Sequence, residues 1–465
     1  MKKGMRVTLF IVLFGSFFGV LSSTMMTTAL PSVMRVFHVS YSSAQWLTNG
    51  YMLANALMIP TSAYLMKKFS FKNLFLTFSI IFFVGSLIGA TADRYLILIA
   101  GRMIQAIGAG VMIPLVNVIA MRAADKKHRG AVMGIIGVVF NFSPIVGPTV
   151  SGVILDSLSW RYLFSLTIPF TLLSIILAII IMPKIKHETE LTFNVKGLVT
   201  ASFGLLSLLW GFSNIGEYDF PSFNILGLLI IGVLFAWLFI RSQAGSKNPF
   251  INLNVFQHVQ FNVASILNMI LMVTMYGNTI FLPILVQNVM HKSALISGLV
   301  LLPGAMVTFF MSPISGKLFD KYPVKNLVMI GITIDCIGTF LQILINHNTS
   351  ILTITLGQTI RQFGLVLVLI PIQTQALTFL PADLLPDGVA MYNTLRQVAA
   401  SFGTALLIAV ITISNQHENV GTITGELVGI KLGFGVCLLL LMTCFIFIRK
   451  LYTTKSVVAE TAETE

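Results

Sequence analysis

About fourteen apolar segments of roughly 20 residues follow one another along the chain, the first over 8–30 and the last over 427–449. Such a segment crosses a bilayer as a helix, because lipid offers no other partner to backbone N–H and C=O groups. Charged residues make up 10% of the chain, against roughly 25% in soluble domains. A core cannot hide this much apolar surface behind so thin a polar shell. The chain therefore reads as an all-α polytopic membrane protein. Its opening, MKKGMRVTLFIVLFGSFFGVLSS, begins like a signal peptide, but the apolar run outlasts an h-region and no A-x-A site follows. It is read as the first span.

The formal net charge is +13. The basic residues sit singly or in short clusters between apolar runs, which is a topology pattern and not a nucleic-acid face. With the N-terminus in the cytoplasm, cytoplasmic loops hold about 21 Lys and Arg and the opposite loops about five. An even number of spans with both termini inside fits that asymmetry. Cys336, Cys437 and Cys444 lie in apolar segments, so neither a disulfide framework nor C-x-x-C metal spacing is expected. The histidines fall in loops or at span ends, so no metal site is expected. There is no G-x-x-x-x-G-K-[ST] motif for ATP.

One cationic phrase occurs twice. Residues 63–74 read AYLMKKFSFKNL and residues 316–327 read GKLFDKYPVKNL, 253 positions later. Asp320 stands where the first copy has Lys67. A repeat of this kind predicts two homologous bundles. The expected organisation is a six-helix bundle over 1–190, two inserted helices over 191–250, a second six-helix bundle over 251–450 and a cytoplasmic tail over 451–465. Arg102 and Arg361, about 259 apart, are read as counterparts.

Ionisable groups at mid-bilayer cost a few kcal/mol and tend to be functional. The candidates are Arg102, Asp335, Arg361 and Arg396, and Asp335 is the one carboxylate well inside a span. Each could instead pair structurally with backbone or a neighbouring helix. A path between the bundles would be lined by apolar, aromatic and sparse polar groups. On the first bundle these are Ser22, Met25, Met26, Trp46, Asn49, Tyr51 and Asn55, with Asn117, Phe140 and Asn141. On the second they are Tyr276, Asn278, Gln358 and Gln362. Ordinary interhelical packing is the alternative for each. The 22 Met and 36 Phe suit a surface that adapts to varied shapes.

Several stretches together resemble the major facilitator superfamily, and within it the fourteen-span drug:proton antiporter branch of multidrug and lincomycin-resistance exporters. The loop carrying Gly316, Asp320, Lys321 and Lys325 is similar to G-x-L-x-D-R-x-G-R-K. Arg102, Gln105, Gly108 and Gly110 resemble R-x-x-Q-G-x-G. Gly147, Pro148 and Gly152 are similar to G-P-x-x-G-G. Trp160–Arg161, the Trp46–Tyr51 run and Asn393–Gln397 with Gly403 resemble further signatures of the same branch. One departure is plain: Ser22 and Thr27 replace the aspartate and asparagine of the usual first-span L-D-x-T-I-V-N.

The resemblance implies the major facilitator fold, two six-helix bundles plus two inserted central helices. It implies no enzyme and no cofactor beyond the proton motive force, in a monomer of a bacterial cytoplasmic membrane. The implied partners are a small lipophilic substrate, protons and the lipid bilayer, without nucleic acid. The implied activity is proton-coupled export by alternating access. Arg102, Asp335, Arg361, Arg396, Asp320, Lys321 and Lys325 are then the coupling and gating candidates, and Gly147, Pro148 and Gly152 the antiporter motif. Export of a specific metabolite, peptide or lipid stays open on the same scaffold. A membrane enzyme would need clustered acids or a nucleophile with a base, and the sequence offers neither.

Overall fold

The computed structural model describes residues 3–183, 194–215, 222–244, 246, 248–417 and 423–451. The side chains of Asn141 and Pro148, and the tail from 452 onward, lie outside the described residues. The described chain is all-helical. Its long helices are α1 Lys3–Phe37, α2 Tyr41–Lys68, α3 Phe71–Thr91, α4 Tyr95–Ala123, α5 Arg129–Ser157, α6 Arg161–Ile181 and α7 Val195–Ser213. They continue with α8 Leu228–Gln243, α9 Val259–Ile284, α10 Ala294–Lys321, α11 Val324–Ile343, α12 Ile351–Thr378, α13 Leu385–His417 and α14 Ile423–Ile448. Among the described residues, 12 helices are long and apolar enough to cross a membrane. The other two are α2, which is richer in polar side chains, and α5, part of whose side chains lie outside the described set.

Local chemistry repeats between the halves. Ser40 caps α2 by accepting from the Ser43 N–H at 3.2 Å, and Ser293 caps α10 by accepting from the Ile296 N–H at 3.4 Å. Two residues before each cap stands a histidine in the left-handed region, His38 at φ 53° and His291 at φ 52°. These are the two non-glycine residues with positive φ among those described, and they lie 253 positions apart. Left-handed backbone costs a β-carbon-bearing residue about 1–2 kcal/mol, so a shared cost at one place marks a shared turn.

Packing repeats too. In the first half α1 packs on α4, α5 and α6, α3 on α4 and α6, and α2 on α4. In the second, α9 packs on α12, α13 and α14, α11 on α12 and α14, and α10 on α12. Two seams join the halves, α5 with α10 and α2 with α13. The pair α7–α8 lies outside this scheme, with α7 bridging α2 and α13. Leu205 and Leu209 of α7 form an apolar cluster with Ala56 of α2 and Val398 of α13. Beyond α7, α8 turns Ile230, Val233 and Ile240 outward, as a lipid-facing helix does.

Glycines let backbones touch. A β-carbon on Gly108 of α4 would lie 2.6 Å from the Phe82 nitrogen of α3, and one on Gly85 of α3 would lie 2.8 Å from the Gly101 oxygen. In the second half, a β-carbon on Gly338 of α11 would lie 2.6 Å from the Arg361 nitrogen, and one on Gly364 would lie 2.5 Å from the Gly331 oxygen. Without a hydrophobic force between helices in lipid, such close approach is a main source of association. Gly108→Leu is expected to wedge α3 from α4 and cost about 1–3 kcal/mol. The check is a lowered thermal unfolding midpoint of the purified protein in detergent. An unchanged midpoint would mean the contact does not hold the pair.

Candidate functional site

The α3–α4 contact places a polar cluster inside the first half. Arg102 of α4 is 1% exposed. Its Nη1 donates to the Ser22 hydroxyl at 3.2 Å and to Gln105 Oε1 at 3.1 Å, and its Nε donates to the Leu47 carbonyl at 3.3 Å. The guanidinium lies 4.1 Å from the centre of the Tyr51 ring, a favourable cation–π placement. Tyr51 donates its own hydroxyl to the Gly19 carbonyl at 3.1 Å. Gln105 Nε2 donates to Ser86 at 2.8 Å, and Thr167 of α6 donates to the same hydroxyl at 3.2 Å. Arg102 thus ties α1, α2 and α4, and Gln105 extends the network to α3 and α6. Among the described residues no carboxylate faces this arginine.

The second half repeats the cluster with its parts exchanged. Gly85 and Gly338 rest on residues 105 and 361, and Gly108 and Gly364 rest on residues 82 and 335. That register pairs Gln105 with Arg361 and Arg102 with Gln358. The expectation that Arg361 matches Arg102 is therefore corrected, because glycine contacts and not charge set the helix register. The hydrogen bonds agree. Arg361 Nε donates to Thr339 at 3.1 Å, as Gln105 does to Ser86, and Gln358 bonds Asn278, as Arg102 does Ser22. Arg361 Nη2 also donates to the Thr274 carbonyl at 2.6 Å. At the place of Phe82 stands Asp335, whose Oδ1 lies 3.2 Å from Arg361 Nε. Asp335 is 0% exposed and Arg361 1%. One half thus holds a buried cation and the other a buried ion pair.

At the end carrying the repeated basic loops, both seams are latched. Asp320 accepts from the Gly130 N–H at 2.8 Å and the Ala131 N–H at 2.9 Å. A carboxylate there meets unpaired amides and the positive end of α5. A β-carbon on Gly134 would lie 2.7 Å from the Ser312 oxygen, so α5 and α10 cross backbone on backbone. At the other seam Lys67, in the place of Asp320, forms an ion pair with Asp387 in the first turn of α13. Asp387 also accepts from the Asn252 N–H at 3.0 Å. Taken alone, the first copy of the loop, AYLMKKFSFKNL, holds bases and no acid. Its acid is present, but on the opposite helix. Asp387 was missed for that reason, although an acid opening a helix is a readable signal.

The remaining candidates scatter. Lys321 is exposed and Lys325 half-buried, and neither bonds a described residue, so only Asp320 of that trio latches. Arg396 is half-buried without a hydrogen bond or ion pair to a described residue. Ser22, Met25 and Met26 line a small cavity with Arg102 and Phe164 inside the first half. That corrects their placement on a path between halves, since α1 turns this face toward α4 and α6. Asn278 is likewise interior, held by Gln358. Asn117 is buried with its Oδ1 unpartnered, while Asn55, Phe140 and Tyr276 are half-buried. Gln362 and Gln358 face Gly304 of α10, where a β-carbon would lie 2.9 Å from Gln362 Cγ. Trp46 and Asn49 line a cavity between α2, α7 and α13. Gly147 seats α5 on Thr24 of α1, but a β-carbon at Gly152 would meet nothing within 4 Å.

Two outcomes follow. Removing either partner of the buried pair, by Asp335→Leu or Arg361→Met, is expected to cost about 3–5 kcal/mol, while the double variant regains most of it. Thermal unfolding of the four proteins measures the cycle, and additive losses would deny the pairing. Lys67→Asp is expected to weaken the latch by about 1–3 kcal/mol, and adding Asp387→Lys to restore it. Accessibility of an engineered cysteine near Ala390 to a water-soluble maleimide reads the seam. No rescue by the exchange would deny the latch.

The comparisons with known proteins agree with this geometry. The Major Facilitator Superfamily profile matches residues 12–404. An uncharacterised MFS-type transporter of Bacillus subtilis (strain 168), YcnB, is 37% identical over 412 residues, covering 89% of this chain and 87% of the relative. The lincomycin resistance protein LmrB of Listeria innocua is 33% identical over 452 residues, covering 94% and 95%. The solved proton:xylose symporter XylE shares the fold with a TM-score of 0.68 at 14% identity, over 97% of this chain and 96% of its own. A repeated six-helix arrangement latched at both seams, with a profile match over most of its length, places this multi-pass membrane protein in the Major Facilitator Superfamily.

Proposed function

We propose that the chain is a proton-coupled exporter of lipophilic drugs or other small molecules, of the fourteen-span drug:proton antiporter branch. It works as a monomer in a bacterial cytoplasmic membrane, with both termini in the cytoplasm and the proton motive force as its only energy source. The observation that carries this reading is the buried Asp335–Arg361 pair. A carboxylate sealed inside a span can hold a proton only by giving up its ion pair, so protonation alters packing. Gln358 and Gln362, on the helix of Arg361, rest on Gly304 of α10, and α10 ends in the Asp320 latch. Protonation at Asp335 would thereby bias the latch through α12 and α10, a two-state element read by both sites.

The resistance named for LmrB supports the substrate class, and the proton coupling named for XylE supports the energy source. One charge crossing about 100 mV yields about 2.3 kcal/mol, enough for a modest gradient per proton. Ser22 in place of a first-span acid leaves Arg102 uncompensated. That observation favours neutral over cationic cargo and keeps a specific metabolite, peptide or lipid as the second reading.

Energised everted vesicles with an internal pH dye test the proposal. A panel of cationic and neutral lipophilic compounds is expected to draw protons out of wild-type vesicles and not out of Asp335→Asn or Arg102→Ala vesicles. Proton release that survives Asp335→Asn would remove that residue from coupling. Silence toward the whole panel, from folded and inserted protein, would overturn the drug reading in favour of a narrow exporter.

A further inference from the structure

The bridge made by α7 encloses a cavity that the central path does not explain. It opens at the α2–α13 seam, above the apolar cluster of Leu209, Ala56 and Val398. Two indoles form one wall, Trp46 of α2 and Trp210 of α7, edge to face with centroids 5.4 Å apart. Gln45 and Asn49 of α2 face Gln397 and Ser401 of α13 across it. None of these four polar side chains bonds a described residue, and the Oε1 of Gln45 is buried without a partner. Among the described residues, no acidic or basic side chain lines the space.

We propose that this cavity is a second binding site, for an uncharged amphiphile whose head carries hydroxyl or amide groups. A charged head would find no counter-charge among the described lining side chains, and an unpaired ion is costly away from water. A bare acyl chain would leave three amides and a hydroxyl unsatisfied, which is costly in the same medium. Hydroxyls and amides both donate and accept, as the lining does. Indole faces take the apolar side of such a head while their N–H groups meet its polar edge. Because α2 and α13 belong to different halves, the bound molecule would touch both halves and the bridge at once. Two sources share this chemistry, a neutral glycolipid of the bilayer and a free amphiphile. The site does not depend on proton coupling.

The test uses the full chain in nanodiscs of phosphatidylcholine and phosphatidylglycerol, without a gradient. Octyl glucoside with a diazirine in its chain is photolysed on wild-type protein, and adducts are mapped by mass spectrometry. Adducts are expected within 45–53, 209–214 and 397–401. Unlabelled octyl glucoside should remove them, whereas octyl phosphate and octyltrimethylammonium should not. Asn49→Leu with Gln397→Leu should weaken labelling about tenfold, as expected for loss of one or two hydrogen bonds. Adducts confined to other segments, or equal competition by the charged compounds, would overturn the proposal without reference to any variant. A diglucosyl lipid placed in the nanodisc separates the sources. Competition by it makes the occupant a bilayer lipid, and indifference to it makes the occupant a free amphiphile; either result upholds the site.

Discussion

Backbone contact at glycine sets the arrangement of everything else. Inside a bilayer, apolar side chains gain nothing by leaving lipid for one another, so helices need a different reason to choose partners. Here Gly85, Gly101 and Gly108 join α3 to α4, and Gly331, Gly338 and Gly364 do the same for α11 and α12. Those contacts fix rotation and depth. They decide that Arg102 reaches Ser22 and Leu47, and that Arg361 reaches Thr339 and Asp335. The functional candidates owe their surroundings to residues without side chains.

On that frame the two halves solve one problem twice with exchanged parts. Arginine and glutamine trade places along α4 and α12. At the seams, Lys67 holds the place of Asp320 and finds its acid, Asp387, on the opposite helix, whereas Asp320 meets backbone amides. Each exchange preserves the contact while altering where charge resides. The first half ends with a guanidinium supported by oxygens and a ring, and the second with a guanidinium facing a carboxylate. Only the second can change its charge state by binding a proton, so the repeat is symmetric in shape and unequal in chemistry.

Much of this was legible beforehand. Apolar run length marked the fourteen helices, and the echo between 63–74 and 316–327 marked the repeat, because both are local properties of the chain. Asp320 was legible since its motif is contiguous. Register across helices was not. Reading Arg361 as the match of Arg102 followed residue type, whereas the fold follows glycine spacing. Asp387 escaped because its partner Lys67 lies 320 positions away, beyond any motif. Trp46 and Asn49, expected on a path between the bundles, line a cavity that α7 also walls, and nothing local tells that α7 will lie opposite.

A repeat of two halves should offer lipid two equivalent edges. The helix laid over α2 and α13 removes that equivalence, for the seam between α5 and α10 has no such cover among the described residues. Acyl chains can lie against one edge, while at the other they meet a protein wall. The repeat is thus broken at its outer surface as well as in its buried charges, for one seam meets lipid and the other meets protein.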